Sequence, residues 1–156
     1  MAPRLLYRAG MKNFLVALDG SERAREVLVA ARALAESSNG KLVLLRAVTV
    51  PIGVPAGAYA FPPDNLEVLL LREAQRELDA FAAELPPSIV GGTRVELGSP
   101  WRAICDAARE ARVDLIVIGS HGYGGLDRLL GTTAAKVVNH ADCSVLVVRA
   151  PQPAAA

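Results

Sequence analysis

The chain has few of the residues that mark several common classes of protein. Its 156 residues include two cysteines, one Trp, three Tyr and three Phe. Cys105 and Cys143 have no CxxC spacing, which excludes a disulfide framework and favours packing roles in a reducing compartment such as the cytoplasm. No stretch approaches the roughly 18 consecutive apolar residues that a membrane-spanning helix needs.

The net charge of the chain is also small. The formal charge is +1, and acidic and basic residues are interspersed along the chain. No basic run interleaves with aromatic residues, so neither nucleic acid nor a membrane is expected as a partner. The length predicts one domain at residues 11–150. Residues 1–10 lack the apolar core of a signal peptide and are expected to be a flexible leader, and residues 151–156 a flexible tail.

Short apolar runs alternate along the chain with helical patterns. Four helices are expected, with Ser21 capping the first, Asp64 opening the second, Pro100 opening the third, and the last at 133–140. A proline-rich loop at 49–63 precedes the second helix. The predicted strands are 13–18, 41–48, 89–97, 114–118 and 144–149. This order predicts an α/β fold: a doubly wound, five-stranded parallel sheet with helices on both faces.

A glycine-rich run follows the fourth strand and leads to the last helix. It begins Gly-Ser-His-Gly at 119–122, and Gly131-Thr-Thr precedes the helical pattern. Glycines let backbone approach an anion and adopt positive φ, and a helix start offers free N–H groups and the positive end of a dipole. Ligands of doubly wound sheets bind beyond the carboxyl ends of the strands, where Asp19 would also lie. The sequence therefore predicts a nucleotide-binding site there.

Several further segments match one family. Asp19-Gly-Ser follows the first strand, and Gly98-x-Pro precedes the third helix. The run at 119–122 and the closing runs at 131–140 and 143–149 complete the set. Together they resemble the universal stress protein family over about residues 11–150. The resemblance implies the strand order 3-2-1-4-5, binding of ATP, with a companion Mg2+ left open, and a homodimer.

The resemblance also implies which residues bind the nucleotide. Asp19 would contact the adenine or the ribose, and the backbone of Ala47 the adenine edge. His121 lies inside the glycine motif and is expected to have a loop or phosphate-contacting role. The full predicted site is Leu18, Asp19, Ala47, Ile118, Gly119, His121, Gly122, Gly131, Thr132 and Thr133. Asp19 has an alternative role as a turn residue that caps the next helix, and Thr132 and Thr133 as helix caps. Arg128 and Lys136 are candidate counter-charges, with solvated surface charges as the alternative.

The spacing of the glycines departs from the family pattern. The family places nine residues between the second and third glycines, whereas eight separate Gly122 from Gly131. The chain also lacks a P-loop lysine, paired magnesium carboxylates and a positioned base, so no catalytic residue is assigned. ATP is expected as a bound ligand of a stress-response regulator. A slow ATPase or phosphotransferase, and a scaffold that binds no nucleotide, are the alternatives.

The last strand is expected to form the dimer. In the order 3-2-1-4-5 it lies at an edge of the sheet, and it reads Ser-Val-Leu-Val-Val with only Arg149 as a charge. An apolar edge strand is a template for pairing with another chain. A homodimer is therefore expected, with the strands from Ser144 to Arg149 paired antiparallel about a two-fold axis.

Overall fold

The computed structural model of the chain describes residues 10–50, 63–120 and 130–149, with only the backbone of 63–65. Most of the predicted leader and proline-rich loop, and the tail, lie outside the described residues. His121, Gly122 and Arg128 also lie outside them.

The described part of the chain contains four α-helices, five strands and a short 3-10 helix at Pro87–Ile89. All four strand pairings are parallel, and the strand order is β3-β2-β1-β4-β5. The elements are β1 Asn13–Ala17, α1 Ala24–Ser38, β2 Lys41–Val48, α2 Pro63–Ala83, β3 Val90–Leu97, α3 Pro100–Glu110, β4 Leu115–Gly119, α4 Thr132–His140 and β5 Ser144–Val148. The predicted fold class and strand order are confirmed.

Both faces of the central strands are buried, which explains why they read as continuous apolar runs. Neighbouring residues of a strand point to opposite faces of the sheet. Val16 packs on one face with Leu28 of α1, and Leu15 packs on the other with Ile104 of α3. Helices α1 and α2 cover the first face, and α3 and α4 cover the second.

The start of α1 differs from the sequence prediction. Its N-cap is Arg23, without a side-chain capping bond among the described residues, so the expected Ser21 cap is wrong. At the other end Asn39, at φ 58° and ψ 40°, adopts the left-handed conformation expected of a terminal glycine. Gly40 serves close packing instead, because a Cβ there would lie 2.5 Å from Phe14 Cε2.

Candidate functional site

A crevice opens at the carboxyl edge of the sheet because β1 ends before its neighbours. Strand β1 pairs with β2 as far as the Ala17–Leu45 rung and with β4 as far as Ala17–Ile118. The N–H of Leu18 still donates to the carbonyl of Leu45 at 2.9 Å, and the chain then turns away toward α1. Strand β2 continues to Val48, so a gap is left where β1 would have run.

A cavity of about 250 Å³ occupies this gap. Eight of the ten predicted site residues line it. They are Leu18, Asp19, Ala47, Ile118, Gly119, Gly131, Thr132 and Thr133. The other two, His121 and Gly122, lie outside the described residues. The fold thus brings together residues from the ends of β1, β2 and β4 and from the start of α4.

Asp19 shapes the turn after β1. Its Oδ1 accepts a hydrogen bond from the N–H of Ser21 at 2.9 Å and a short one from the Ser21 hydroxyl. This is the turn role considered from the sequence, but Asp19 does not cap α1, whose N-cap is Arg23. Both bonds use Oδ1, so the turn itself makes no use of the second carboxylate oxygen.

The backbone of Ala47 faces the gap. Along a strand, the N–H and C=O of one residue point to the same side, and the side alternates from residue to residue. The carbonyl of Leu45 points toward β1, and that of Val48 toward β3, where it accepts the N–H of Gly98 at 2.9 Å. Ala47 therefore turns both groups toward the β1 side, where no β1 residue pairs with it.

Helix α4 begins at the opposite wall. Gly131 is its N-cap, and the first intrahelical bond runs from the N–H of Ala135 to the Gly131 carbonyl at 2.9 Å. Helix geometry therefore leaves the N–H groups of Thr132, Thr133 and Ala134 without intrahelical acceptors. The alternative of threonine caps is wrong, because Gly131 occupies the cap position and the described residues provide no side-chain capping bond.

The two described glycines of this site, Gly119 and Gly131, do not adopt the positive φ that the sequence suggested. Gly131 has φ −60° and ψ 154°, an extended conformation open to other residues, and Gly119 continues β4 without a positive φ. The N–H of Gly131 donates to the carbonyl of Ser120 at 2.7 Å, which holds the helix start against the end of β4. What glycine contributes at 131 is the absence of a side chain at the wall of the cavity.

Several lining residues were not expected from the sequence. Ser120 lines the cavity and is 5% exposed, the one buried polar residue in the described part of the chain. Arg23 and Ser21 come from the turn before α1, and Val27, Pro100 and Ile104 from helices on the two faces. The helical spacing of Val27 and Ile104 indicated burial but not a cavity wall.

Only two ionisable residues line the described cavity, the acidic Asp19 and the basic Arg23. Of the two predicted counter-charges, Arg128 lies outside the described residues, and Lys136 is exposed on α4 away from the cavity. Residues 10–50, 63–120 and 130–149 contain no group of three or more His, Cys, Asp or Glu side chains that could hold a metal ion. The same ranges contain no helix long and apolar enough to cross a membrane.

The two thiols lie on the α3–α4 side of the core. Cys105 is buried, and Cys143 is half-buried before β5. Burial raises the pKa of both thiols, since the thiolate would lose its hydration. A raised pKa lowers the reactive thiolate fraction, which fits the packing role expected from the sequence.

The fold and the crevice define a doubly wound α/β protein with a cavity at its topological switch point, where ligands of such sheets bind. The family model of the universal stress protein family matches residues 10–149. The chain belongs to the universal stress protein family. It is similar to Universal stress protein A homolog 1 of Coxiella burnetii, with 32% identity over 139 residues, 88% of this chain and 95% of the relative.

Solved structures agree with this assignment. The universal stress protein UspA from Lactobacillus plantarum superposes with a TM-score of 0.72 and 28% identity, over 90% of this chain and 99% of its own. A universal stress protein in complex with cAMP superposes with a TM-score of 0.59 and 25% identity, over 90% and 98% of the two chains.

Proposed function

We propose that this chain binds an adenine nucleotide, ATP, in the crevice beyond β1. It would act in the cytoplasm as a stress-response regulator, through a conformation and a dimer surface that depend on the ligand. The observation that supports this most directly is the meeting, in one cavity, of the Ala47 backbone edge, the Asp19 carboxylate and the start of α4. The related universal stress protein in complex with cAMP supports an adenine nucleotide as the ligand class.

The adenosine part of the ligand fits the wall formed by β1 and β2. The Ala47 backbone offers one donor and one acceptor toward the gap, which matches the ring nitrogen acceptor and amino donor of adenine. The Asp19 carboxylate is an acceptor for ribose hydroxyls. Apolar side chains from both faces, Val27 and Ile104, line the cavity and would pack against the base.

The phosphates fit the start of α4. The first N–H groups of that helix have no intrahelical acceptors, and the helix dipole places partial positive charge there. Anions bind at helix starts for these two reasons. The hydroxyls of Thr132 and Thr133 add donors, and Gly131 presents no side chain that would hold the phosphates away.

The consequence of binding is a more stable, ligand-specific form of the protein. A nucleotide that binds only the folded chain raises its stability by mass action. The described residues contain no carboxylate cluster for paired magnesium ions. Titration of ATP with and without Mg2+ tests whether the metal accompanies the nucleotide. No catalytic residue is proposed.

The first test is to identify what the purified protein carries. Mass analysis after denaturation is expected to release an adenine nucleotide, and calorimetric titration of the emptied protein is expected to show ATP binding. Absence of binding would favour a scaffold without nucleotide. Phosphate release that stays with the pure protein and is lost in Asp19→Asn would favour a slow ATPase.

A substitution at the helix start tests the placement of the phosphates. Gly131→Val puts a branched side chain at the cavity wall, and ATP affinity is expected to fall at least about tenfold, as for one lost charge-assisted hydrogen bond. The matched control is Asn139→Val, an exposed position of the same helix outside the cavity. The circular dichroism spectra of both variants should match the wild-type spectrum. Undiminished ATP binding in Gly131→Val would remove Gly131 from the site.

The proposed dimer forms through the open edge of β5. Val148 turns its backbone toward β4, since its carbonyl accepts the N–H of Ser120 at 2.9 Å. The alternation along the strand then directs the N–H and C=O of Val145 and Val147 outward, to the free edge. A second copy of β5, paired antiparallel about a two-fold axis, would satisfy these groups.

A further inference from the structure

Arg23 brings a positive charge to the cavity. It is the N-cap of α1, with φ −74° and ψ −14°, and its carbonyl accepts the N–H groups of Glu26 and Val27 at 3.1 and 3.3 Å. Arg23 lines the cavity together with Asp19. The helix start thus fixes the backbone of Arg23 at the rim of the crevice, beside the acidic turn.

The next arginine of the helix has a different environment. Arg25 lies outside the cavity lining, with its side chain 63% exposed, and pairs with both carboxylate oxygens of Glu84 at 2.6 and 3.0 Å. Its guanidinium also lies over the Phe81 ring, 5.8 Å from the centroid. Two arginines of similar position in the sequence therefore differ in whether they face the cavity.

The charge balance of the cavity gives Arg23 a consequence for the ligand. Asp19 is the acidic lining residue, and a carboxylate repels phosphates. The start of α4 offers the equivalent of roughly half a positive charge, and the starts of α1 and α3, at Ala24 and Pro100, also line the cavity. Within the described lining, Arg23 is the one basic side chain and therefore the one full positive charge beside Asp19.

We propose that Arg23 contacts the phosphates of the bound nucleotide and sets a preference for di- and triphosphates over adenosine. This rests on the proposed function, that the cavity binds an adenine nucleotide. A guanidinium has five N–H donors in a planar fork that matches phosphate oxygens. Arg23 also interacts with another group of the protein, and a guanidinium can donate to more than one acceptor at once.

Calorimetric titration with adenosine, AMP, ADP and ATP tests the proposal. Arg23→Gln is expected to lower ATP affinity about 10- to 100-fold, the usual range for a hydrogen bond to a charged group. Adenosine affinity should stay within about twofold of wild type, because its binding energy comes from other walls. The loss should grow from AMP to ATP. Arg25→Gln, which removes a cation of the same helix outside the cavity, should bind all four ligands as wild type does.

The outcomes separate this inference from the proposed function. If the wild-type protein binds none of the four ligands, the proposed function and the inference both fail. If wild type binds ATP and Arg23→Gln loses ATP and adenosine equally, or loses neither, only the inference fails. Circular dichroism of each variant separates lost contact from lost fold.

Discussion

The two edges of the sheet are built differently. Strand β3 carries an extra residue, Gly91, where its register with β2 shifts between Leu42 and Val43. It also carries two charged side chains, Arg94 and Glu96, that bond to each other. Strand β5 keeps a regular register with β4 from Ser144 to Val148 and contains no charged residue.

The difference indicates which edge can accept another strand. A bulge twists an edge away from a flat partner, and charged side chains on an edge disfavour pairing because they would lose hydration. Strand β3 has both features and β5 has neither. The comparison therefore supports the proposal that a second copy of the chain pairs with β5 rather than with β3.

The largest expected effect comes from removing an outward N–H at β5. Val147 and Val95 are both half-buried valines whose backbone faces a free edge, β5 for Val147 and β3 for Val95. Proline lacks the N–H and blocks a ladder bond, but at these positions it spares the bonds to the inner strand. Val147→Pro is expected to weaken the dimer about fivefold for each hydrogen bond lost, or about 25-fold for the two copies together.

Val95→Pro is the matched control on the other edge and should leave the association state unchanged. Sedimentation over a range of concentrations measures both variants, with circular dichroism to follow folding. A folded Val147→Pro protein that still sediments as a dimer would show that the interface lies elsewhere. Weakening by Val95→Pro alone would place the partner on β3 and reverse the comparison.

A smaller effect is expected from an added charge. Leu146 of β5 and Leu97 of β3 are exposed leucines on the two edge strands, at 37% and 43%. Leu146→Glu would bring two carboxylates toward each other across the two-fold axis, at a cost of about 1 kcal/mol of association free energy, or roughly fivefold in affinity. Leu97→Glu should have no effect on association. Sedimentation at low and high salt checks this, since salt should relieve the repulsion.

The sheet could be predicted from the sequence because burial imposes a pattern on it. The apolar run from Phe14 onward and the run from Leu115 onward are central strands buried on both faces, and their observed ends lie within a residue of the prediction. Gly91 and Gly92 also stand out within the third apolar run, because glycine in a strand often marks a bulge. The edge position of β5 followed from the family's strand order rather than from its own residues.

Details that depend on local competition between hydrogen bonds could not be predicted. Serine is a residue type that commonly caps helices, but both the N–H and the hydroxyl of Ser21 donate hydrogen bonds to the Asp19 carboxylate instead. The conformation of Gly131 was misjudged because glycine allows positive φ without requiring it. Arg23 was missed because a charged residue in a first helical turn usually reads as solvated surface. Its place at the cavity depends on where β1 ends, which only the packed sheet determines.

The smallest expected effect concerns the charges that mark the β3 edge. Arg94 bonds to Glu96 and, at 2.8 Å, to Glu110 of α3, and these bonds raise the pKa of Arg94. The side chains of Arg94 and Glu96 are about one-third exposed and that of Glu110 about two-thirds, so solvent screens both ion pairs. Arg94→Ala is expected to lower the free energy of unfolding by about 0.5–1 kcal/mol. Chemical denaturation measures this, with Arg32→Ala, which breaks one exposed pair with Glu36 on α1, as the control.

Association should not change in Arg94→Ala, because the Gly91 bulge alone keeps β3 from presenting a regular edge. New oligomers of this variant, absent in Arg32→Ala, would assign the protection of the edge to the charge instead. Thus the same variant measures how much of the difference between the two edges is due to backbone geometry and how much to side-chain charge.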